Sequence, residues 1–412
     1  MLLAIAWRNI WRNKLRSIVI FAAIGIGIIG AVISDGYMSG LTDQRVNAAI
    51  ANEVSDIQIH NPKFLINNEI QYLIPNAEKT KKVIQRLSLV KGVTLRLKIP
   101  AMASSANAGA GITLYGVNPT DEKKVSDIYK HIVKGKYLTD SEKIPTIIGK
   151  KLSKKLNLGI GDKLIITLTD TTGTITSGAF NIVGIYKTAN DQFDGKTVFV
   201  NKRDLASLVG YPVHTGDEMA IRLKSDTDTP IMMKKLKKIF SSEIKQKKLI
   251  IQSWSQIQPL LKSMIQMMDY FSYIFLLIIL LALAFAIVNT MLMAIMERTR
   301  EIGMLMALGM NKRKIFVLIL YETIFLSVIG AIAGLIISIF IVRFYSIHGF
   351  DLSSVAKGLN YIGYSSIIYF RVNTNFYFIS ILLVIIIAII SGIFPALKAL
   401  RFQPATAVRE DV

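Results

Sequence analysis

Residues 297–316 read ERTREIGMLMALGMNKRKIF, the one long polar insert between two apolar runs in the C-terminal half of the chain. Glu297 and Glu301 open it, and Lys312, Arg313 and Lys314 close it. A helix carries partial positive charge at its N-terminal end and negative charge at its C-terminal end. Acids first and bases last therefore suit a short helix. Ile302, Leu305, Met306 and Gly309 fall at i, i+3, i+4 and i+7, which places them on one helical face. Gly309 is positioned to end that helix as its C′ residue. The pattern leaves two readings open, a basic loop or a surface helix that receives force from a partner.

The flanking runs can cross a bilayer. Charge-free stretches occur at 17–34, 270–296, 323–342 and 372–397. A span needs about 20 apolar residues to cover ~30 Å of hydrocarbon. Four spans put both termini on one side, and the bases choose that side. Arg8, Arg12, Lys14 and Arg16 precede the first run with no acid among them. The loop 297–314 holds five bases, and the C-terminal tail adds Lys398, Arg401 and Arg409. The other short loop, 344–371, has only Lys357 and Arg371. The positive-inside rule therefore predicts cytoplasmic termini. Trp7 and Trp11 alternate with the N-terminal bases, as in an interfacial amphipathic helix. The first run is long and no A-x-A-like site closes it, so an uncleaved span is expected rather than a signal peptide.

Composition narrows the class. The chain has 412 residues, 52% of them hydrophobic, and a mean hydropathy of +0.44. That is too apolar for an ordinary soluble protein and too polar for one wholly in the membrane. The net charge of +21 divides by membrane side, which argues against nucleic acid as a partner. Cysteine is absent and the four histidines are scattered, so neither a thiolate site nor a metal cluster is expected. No G-x-x-x-x-G-K-[ST] occurs, so the chain is expected to hydrolyse no ATP, and no catalytic, cofactor-binding or metal-binding residue is predicted.

The segment 41–269 carries 34 bases and 21 acids, and long domains translocate largely regardless of charge. Its patterning predicts strands at 57–59, 93–99, 112–117, 164–168, 180–186, 197–200, 220–223 and 249–251. Helices are expected at 76–89, 150–156, 203–209 and 230–245. The helix-then-strand units 76–99 and 230–251 look like two halves of one α+β subdomain split by an insertion. Gly159–Asp162 and Asp194-Gly195 read as turns. Helical pattern continues past Asp35 through Val46 and Ile50. A second helix is expected from Ser255, with Gln258 completing a capping box and Pro259 in its first turn. Such a helix, running to Met296, reaches about 60 Å at 1.5 Å per residue, so two spans are expected to project as a stalk. Glu322 is the one acid well inside an apolar run, and snorkelling or pairing with a nearby base is weighed there against proton relay.

Several stretches together resemble the MacB/FtsX-type ABC transporter permeases, most of all their lipoprotein-releasing (LolC/LolE-like) branch. They are AWRNIWRNKLRS at 6–17, DIQIHNPKF at 56–64, IIGKKLSKKLNLGIGDKLIIT at 147–167 and FNIVGIYKTANDQFDGKTVFV at 180–200. ERTREIGMLMALGMNKRKI at 297–315, YETIFLSVIGAIAGLIIS at 321–338 and FPALKALRFQPATAVRE at 394–410 complete the set. The resemblance implies an α-helical membrane protein with four transmembrane helices and a large α+β extracytoplasmic (periplasmic) domain inserted between helices 1 and 2. The divisions are then a cytoplasmic amphipathic segment 1–16, helix 1 at 17–40, a MacB-like domain at 41–266 and helix 2 at 267–296. A cytoplasmic coupling helix at 297–316, helix 3 at 317–343, an extracytoplasmic loop at 344–371, helix 4 at 372–397 and a cytoplasmic tail at 398–412 follow.

The resemblance also implies a permease subunit working by mechanotransmission in the cell inner membrane. Its partners are a cytoplasmic ABC ATPase dimer, which holds the ATP and Mg, and a second permease, identical or homologous. Membrane lipid, lipoprotein cargo and a periplasmic carrier complete the expected set. The coupling helix docks on the ATPase through Glu297, Arg298, Arg300, Glu301, Gly303, Ala307, Gly309 and Lys312. Glu322 becomes a family-pattern carboxylate with a structural role at the membrane edge. The large external domain argues against the FtsX-like division branch. Export of a drug, peptide or signal, or signalling to a cell-wall enzyme, is the alternative function.

Overall fold

The computed structural model describes residues 2–12, 14–67, 71–139 and 142–401. The tail from 402 onward, with Arg409 and most of the 394–410 motif, lies outside the described residues. The chain forms two compact units. One holds Met1–Thr42, Ile265–Asp351 and Ile367–Val412, and the other holds Asp43–Met264 with Leu352–Ser366.

The first unit is helical and contains an N-terminal helix, Leu2–Arg12. Among the described residues, four helices are long and apolar enough to cross a membrane: Ser17–Val54, Pro259–Glu297, Lys312–His348 and Thr374–Ala399. They are called the first to fourth spans below. Small residues let the first and third spans touch backbone to backbone. A Cβ added at Gly334 would stand 2.6 Å from the Gly25 carbonyl oxygen, and one at Gly330 3.0 Å from that of Phe21. With no hydrophobic drive between helices in lipid, such close small-xxx-small packing supplies the attraction.

The second unit is α+β. Its strands are β1 (Ile57–His60), β2 (Val90–Ser104), β3 (Gly109–Val117), β4 (Ile132–Gly135), β5 (Pro145–Gly149), β6 (Lys163–Thr169), β7 (Ile175–Tyr186), β8 (Thr197–Asn201), β9 (Glu218–Leu223) and β10 (Ile250–Ser253). They form one mixed sheet in the order β10-β1-β9-β2-β3-β8-β5-β7-β4, with β6 pairing β2 and β7. The β3–β8 and β5–β7 pairs are parallel. The long β2 serves both halves. On one side Ile57, Ile59, Val93, Leu95, Ile221, Met232 and Leu236 share a core. The units 76–99 and 230–251 thus close one subdomain across an insertion, as the pattern suggests. On the other side Leu97, Leu114, Ile148, Leu164, Phe180 and Val200 form the core of the insertion. Along β6, Leu164, Ile166 and Leu168 point inward and Lys163, Ile165 and Thr169 outward, the two-residue period of a half-buried strand.

Several expectations need correction. Asp194-Gly195 is not a turn but lies in the helix Asp191–Lys196, capped by Asn190 through the N–H groups of Gln192 and Phe193. The expected helix 230–245 is two helices, Thr229–Ile239 and Ser241–Lys245, broken at Phe240. The capping box is formed by Ser253 and Gln256 around the short helix Trp254–Ile257, and the long helix starts at Pro259. Gln258 instead donates to Glu53 at 3.1 Å. Glu53 sits in a π-helical turn, Ala49–Val54, and also accepts from Arg45 at 3.0 Å and Asn190 at 2.9 Å. The 344–371 loop carries short elements of its own. It contains the pair Phe350–Asp351 with Ile367–Ile368, and the helix Ala356–Tyr361.

Candidate functional site

The polar insert after the second span folds as the helix Thr299–Ala307. The chain leaves the second span at Glu297, kinks at Arg298 (φ −110°, ψ 20°) and resumes helix at Thr299. Leu308 caps the C-terminal end, and Gly309 follows at φ +86°. The Gly309 N–H donates to Met306 O and the Met310 N–H to Leu305 O, both at 3.0 Å. This is the Schellman arrangement, which a left-handed C′ glycine favours. Asn311 then caps the third span by accepting from the Arg313 N–H.

That geometry corrects one part of the charge argument. Lys312, Arg313 and Lys314 do not close the short helix. They form the first turn of the third span, where the helix end is positive and does not favour bases. All three are exposed, so solvent screens that unfavourable interaction.

Glu322 pairs with a base, one of the readings open for it, and the pairing extends further. Arg298 Nη1 donates to both oxygens of Glu322, at 3.0 and 3.4 Å. Its Nε donates to Glu301 Oε2 at 2.9 Å. Glu301 also accepts from Arg12 Nη2, on the N-terminal helix. Arg12, Glu301, Arg298 and Glu322 therefore form a chain of alternating charge through three helices. Burial pushes the Glu301 carboxyl up, but hydrogen bonds from Arg12 and Arg298 outweigh it and hold it below the usual range. The N-terminal helix is further fixed by Trp7 set edge-on against Phe325, centroids 5.8 Å apart, and by Ser17 Oγ donating to Ile10 O at 2.6 Å.

The predicted residues divide by face. Ile302 and Gly303 are buried, and Arg298 turns inward to Glu322. Glu297, Arg300, Ala307, Gly309 and Lys312 face outward. Sequence reasoning missed two exposed apolar side chains on the outer face, Met304 at 49% and Leu308 at 84% exposure. With Arg300 and Ala307 they follow i, i+4, i+7 and i+8, a spacing legible in the sequence. It also missed Arg12, which lies 289 residues from its partner.

No group of His, Cys, Asp or Glu that could hold a metal occurs among the described residues. The arrangement is suited to mechanical coupling: an outward face with apolar knobs, tied by charge to the N-terminal helix and to the third span.

Residues 17–239 match the MacB-like periplasmic core domain, and residues 273–404 match the FtsX-like permease C-terminal domain. An uncharacterized ABC transporter permease of Methanocaldococcus jannaschii is 24% identical, over 100% of this chain and 98% of the relative. The lipoprotein-releasing system transmembrane protein LolC of Buchnera aphidicola is 24% identical, over 82% of this chain and 81% of its own length. A pyoverdine export ATP-binding/permease protein, PvdT of Pseudomonas fluorescens, is 24% identical over 98% of this chain, which spans 59% of that relative. With an α+β domain of MacB-like periplasmic type inserted between the first two of four apolar helices, and an FtsX-like region carrying the rest, the chain belongs to the MacB/FtsX-type ABC transporter permeases.

Proposed function

We propose that this chain is the permease subunit of a transporter that releases lipoproteins from the inner membrane to a periplasmic carrier. Family members work with cytoplasmic ABC ATPase partners. The observation that carries the coupling role is the outward face of Thr299–Ala307, bearing Met304, Ala307 and Leu308, joined through Glu301 and Arg298 to Arg12 and Glu322. A separate ATPase dimer holding ATP and Mg docks on that face. Closure of the ATPases moves the helix, and the charge chain passes the movement to the N-terminal helix and the third span. Both termini lie in the cytoplasm, and a second permease completes the complex.

Lipoprotein cargo is favoured by the likeness to LolC over most of both chains. Each acyl CH₂ buried in a bilayer is worth ~0.8 kcal/mol, so extracting several chains costs on the order of tens of kcal/mol. An ATP-driven arm is suited to that work. Export is the second reading, favoured by the likeness to the pyoverdine exporter. Depleting the protein and following lipoproteins by membrane fractionation separates the two. Lipoproteins stranded in the inner membrane support release. Normal sorting with raised sensitivity to a drug or peptide supports export instead. Purified chain freed of every ATPase subunit is expected to show no ATP turnover.

A further inference from the structure

The inserted domain carries a polar cleft of about 170 Å³ between the helix Ala77–Gln85 and the end of β8. Glu78 and Lys81 come to it from the helix Ala77–Gln85, Asp121 from the helix Pro119–Val125, and Asn201, Lys202 and Arg203 from the end of β8 and the helix after it. His214 lines it from the loop before β9. Asn201 is buried with one polar atom unpartnered, and Lys202 is largely buried with no carboxylate in contact. Lys202 is only 7% exposed, and no hydrogen bond or ion pair engages it among the described residues. Its charged neighbours act at longer range, with Glu78, Asp217 and Asp121 favouring the ammonium and Lys81 opposing it. Asn201 is 5% exposed, its Nδ2 donates to Thr139 O at 3.2 Å, and its Oδ1 has no partner.

A buried charge without a partner costs free energy, and so does a buried orphan acceptor. Burial accordingly lowers the Lys202 ammonium to a pKa of about 8. Lys81 is already matched by Asp121 at 2.5 Å, which leaves Lys202 and Arg203 facing Glu78 with an excess of positive charge. One kind of ligand answers both deficits. It presents negative oxygen to Lys202 and Arg203, and a hydroxyl to Asn201 Oδ1. We propose that this cleft binds a hydroxyl-bearing oxyanion of the phosphate class, bridging the two subdomains of the inserted domain. Hydrogen phosphate and a glycerol phosphate headgroup both have this chemistry. Sulfate offers the charge without the hydroxyl. A ligand held by residues of both subdomains couples their relative position to its own presence.

The test uses the purified full-length chain in detergent at fixed ionic strength. Inorganic phosphate, glycerol 3-phosphate and sulfate are titrated by calorimetry against wild type, Lys202→Met and Arg203→Gln. Lys202→Met keeps most of the unbranched side chain and removes the charge, so the variant is expected to fold and to melt higher than wild type. Wild type should bind phosphate or glycerol 3-phosphate several-fold tighter than sulfate. Lys202→Met should lose roughly tenfold or more in affinity, and Arg203→Gln less. Tighter binding of glycerol 3-phosphate identifies a lipid-headgroup source, and tighter binding of phosphate a free ion. A second readout is the acetylation of Lys202, followed by mass spectrometry at pH 8. The ligand should slow it, because a bound anion favours the unreactive ammonium. Binding equal in wild type and Lys202→Met, or no binding of either phosphate probe, overturns the proposal.

Discussion

Arg298 and Glu322, 24 residues apart in the chain, meet with Nη1 3.0 Å from Oε1, and both side chains are largely buried. The contact ties the kink at the end of the second span to the third span. A charge-assisted hydrogen bond of this kind contributes about 1.5–3 kcal/mol. Arg298→Met and Glu322→Gln, with the double variant, form a cycle that isolates the pair. A coupling energy of about 1 kcal/mol or more is expected in thermal unfolding of the detergent-solubilised chain. Additive effects would show that the pair only marks proximity.

The outward face predicts how the ATPase is held. Met304→Asp or Leu308→Asp places a charge where an apolar knob stands, at positions 49% and 84% exposed, so folding should be spared. Co-purification of the ATPase should fall strongly in both. Glu297→Lys with Glu301→Lys should also weaken docking, and the second change sets like charges together at Arg12 and Arg298. Membrane insertion should be unchanged in every case. Full ATPase recovery from all of these variants counts against the assigned face.

Gly309 separates conformation from crowding. Its φ of +86° disfavours any residue with a Cβ, yet nothing stands within 4 Å of where that Cβ would lie. Gly309→Ala should therefore cost only the backbone term, about 1 kcal/mol, and Gly309→Val more, because branching at Cβ narrows the choice further. Transport should fall in the same order, Val below Ala below wild type. Equal loss in both would point to a contact that the glycine surface makes with the ATPase.

The sequence carries the elements that local pattern dictates. The alternation of Leu164, Ile166 and Leu168 marks β6, and the period and terminal glycine of 299–309 mark the short helix. What it hides depends on distant atoms. Asp194-Gly195 has the composition of a turn, but Asn190 caps a helix there, and that helix packs against Gly149, where a Cβ would stand 2.1 Å from Asp194 O. Two S-x-x-Q frames overlap at 253–258, and only the strand pairing of β10 decides that Ser253 is the cap. β5 escapes because it opens on a proline and, being wholly buried, shows no alternation of apolar and polar residues. The pairing of Arg12 with Glu301 has no local signature at all.

Asp56 makes the stability of the inserted domain depend on pH. It sits at the start of β1, fully buried, with Oδ2 accepting from the Leu223 N–H at 2.9 Å and Oδ1 without a partner. Burial raises its pKa to about 7, against the opposing pull of the Leu223 hydrogen bond and of Arg222, whose Nε lies 3.6 Å away. Asp226 adds to the rise. A carboxyl raised in the folded state binds its proton more tightly there than in the unfolded chain. Its contribution is therefore fully present below about pH 4 and lost as pH rises towards about 7. Asp194, raised to about 6 by burial, acts in the same direction, so the comparison must isolate Asp56. The difference in stability between wild type and Asp56→Asn does so. Trp254 donates its backbone N–H to Asp56 O at 3.0 Å and reports on this strand. In a Trp7→Phe, Trp11→Phe background its fluorescence follows unfolding. Asp56→Asn should gain on wild type steadily from pH 5 to pH 7 and then hold its advantage. A difference that stays flat across this range would place the Asp56 pKa at its ordinary value and remove the pH dependence assigned to it.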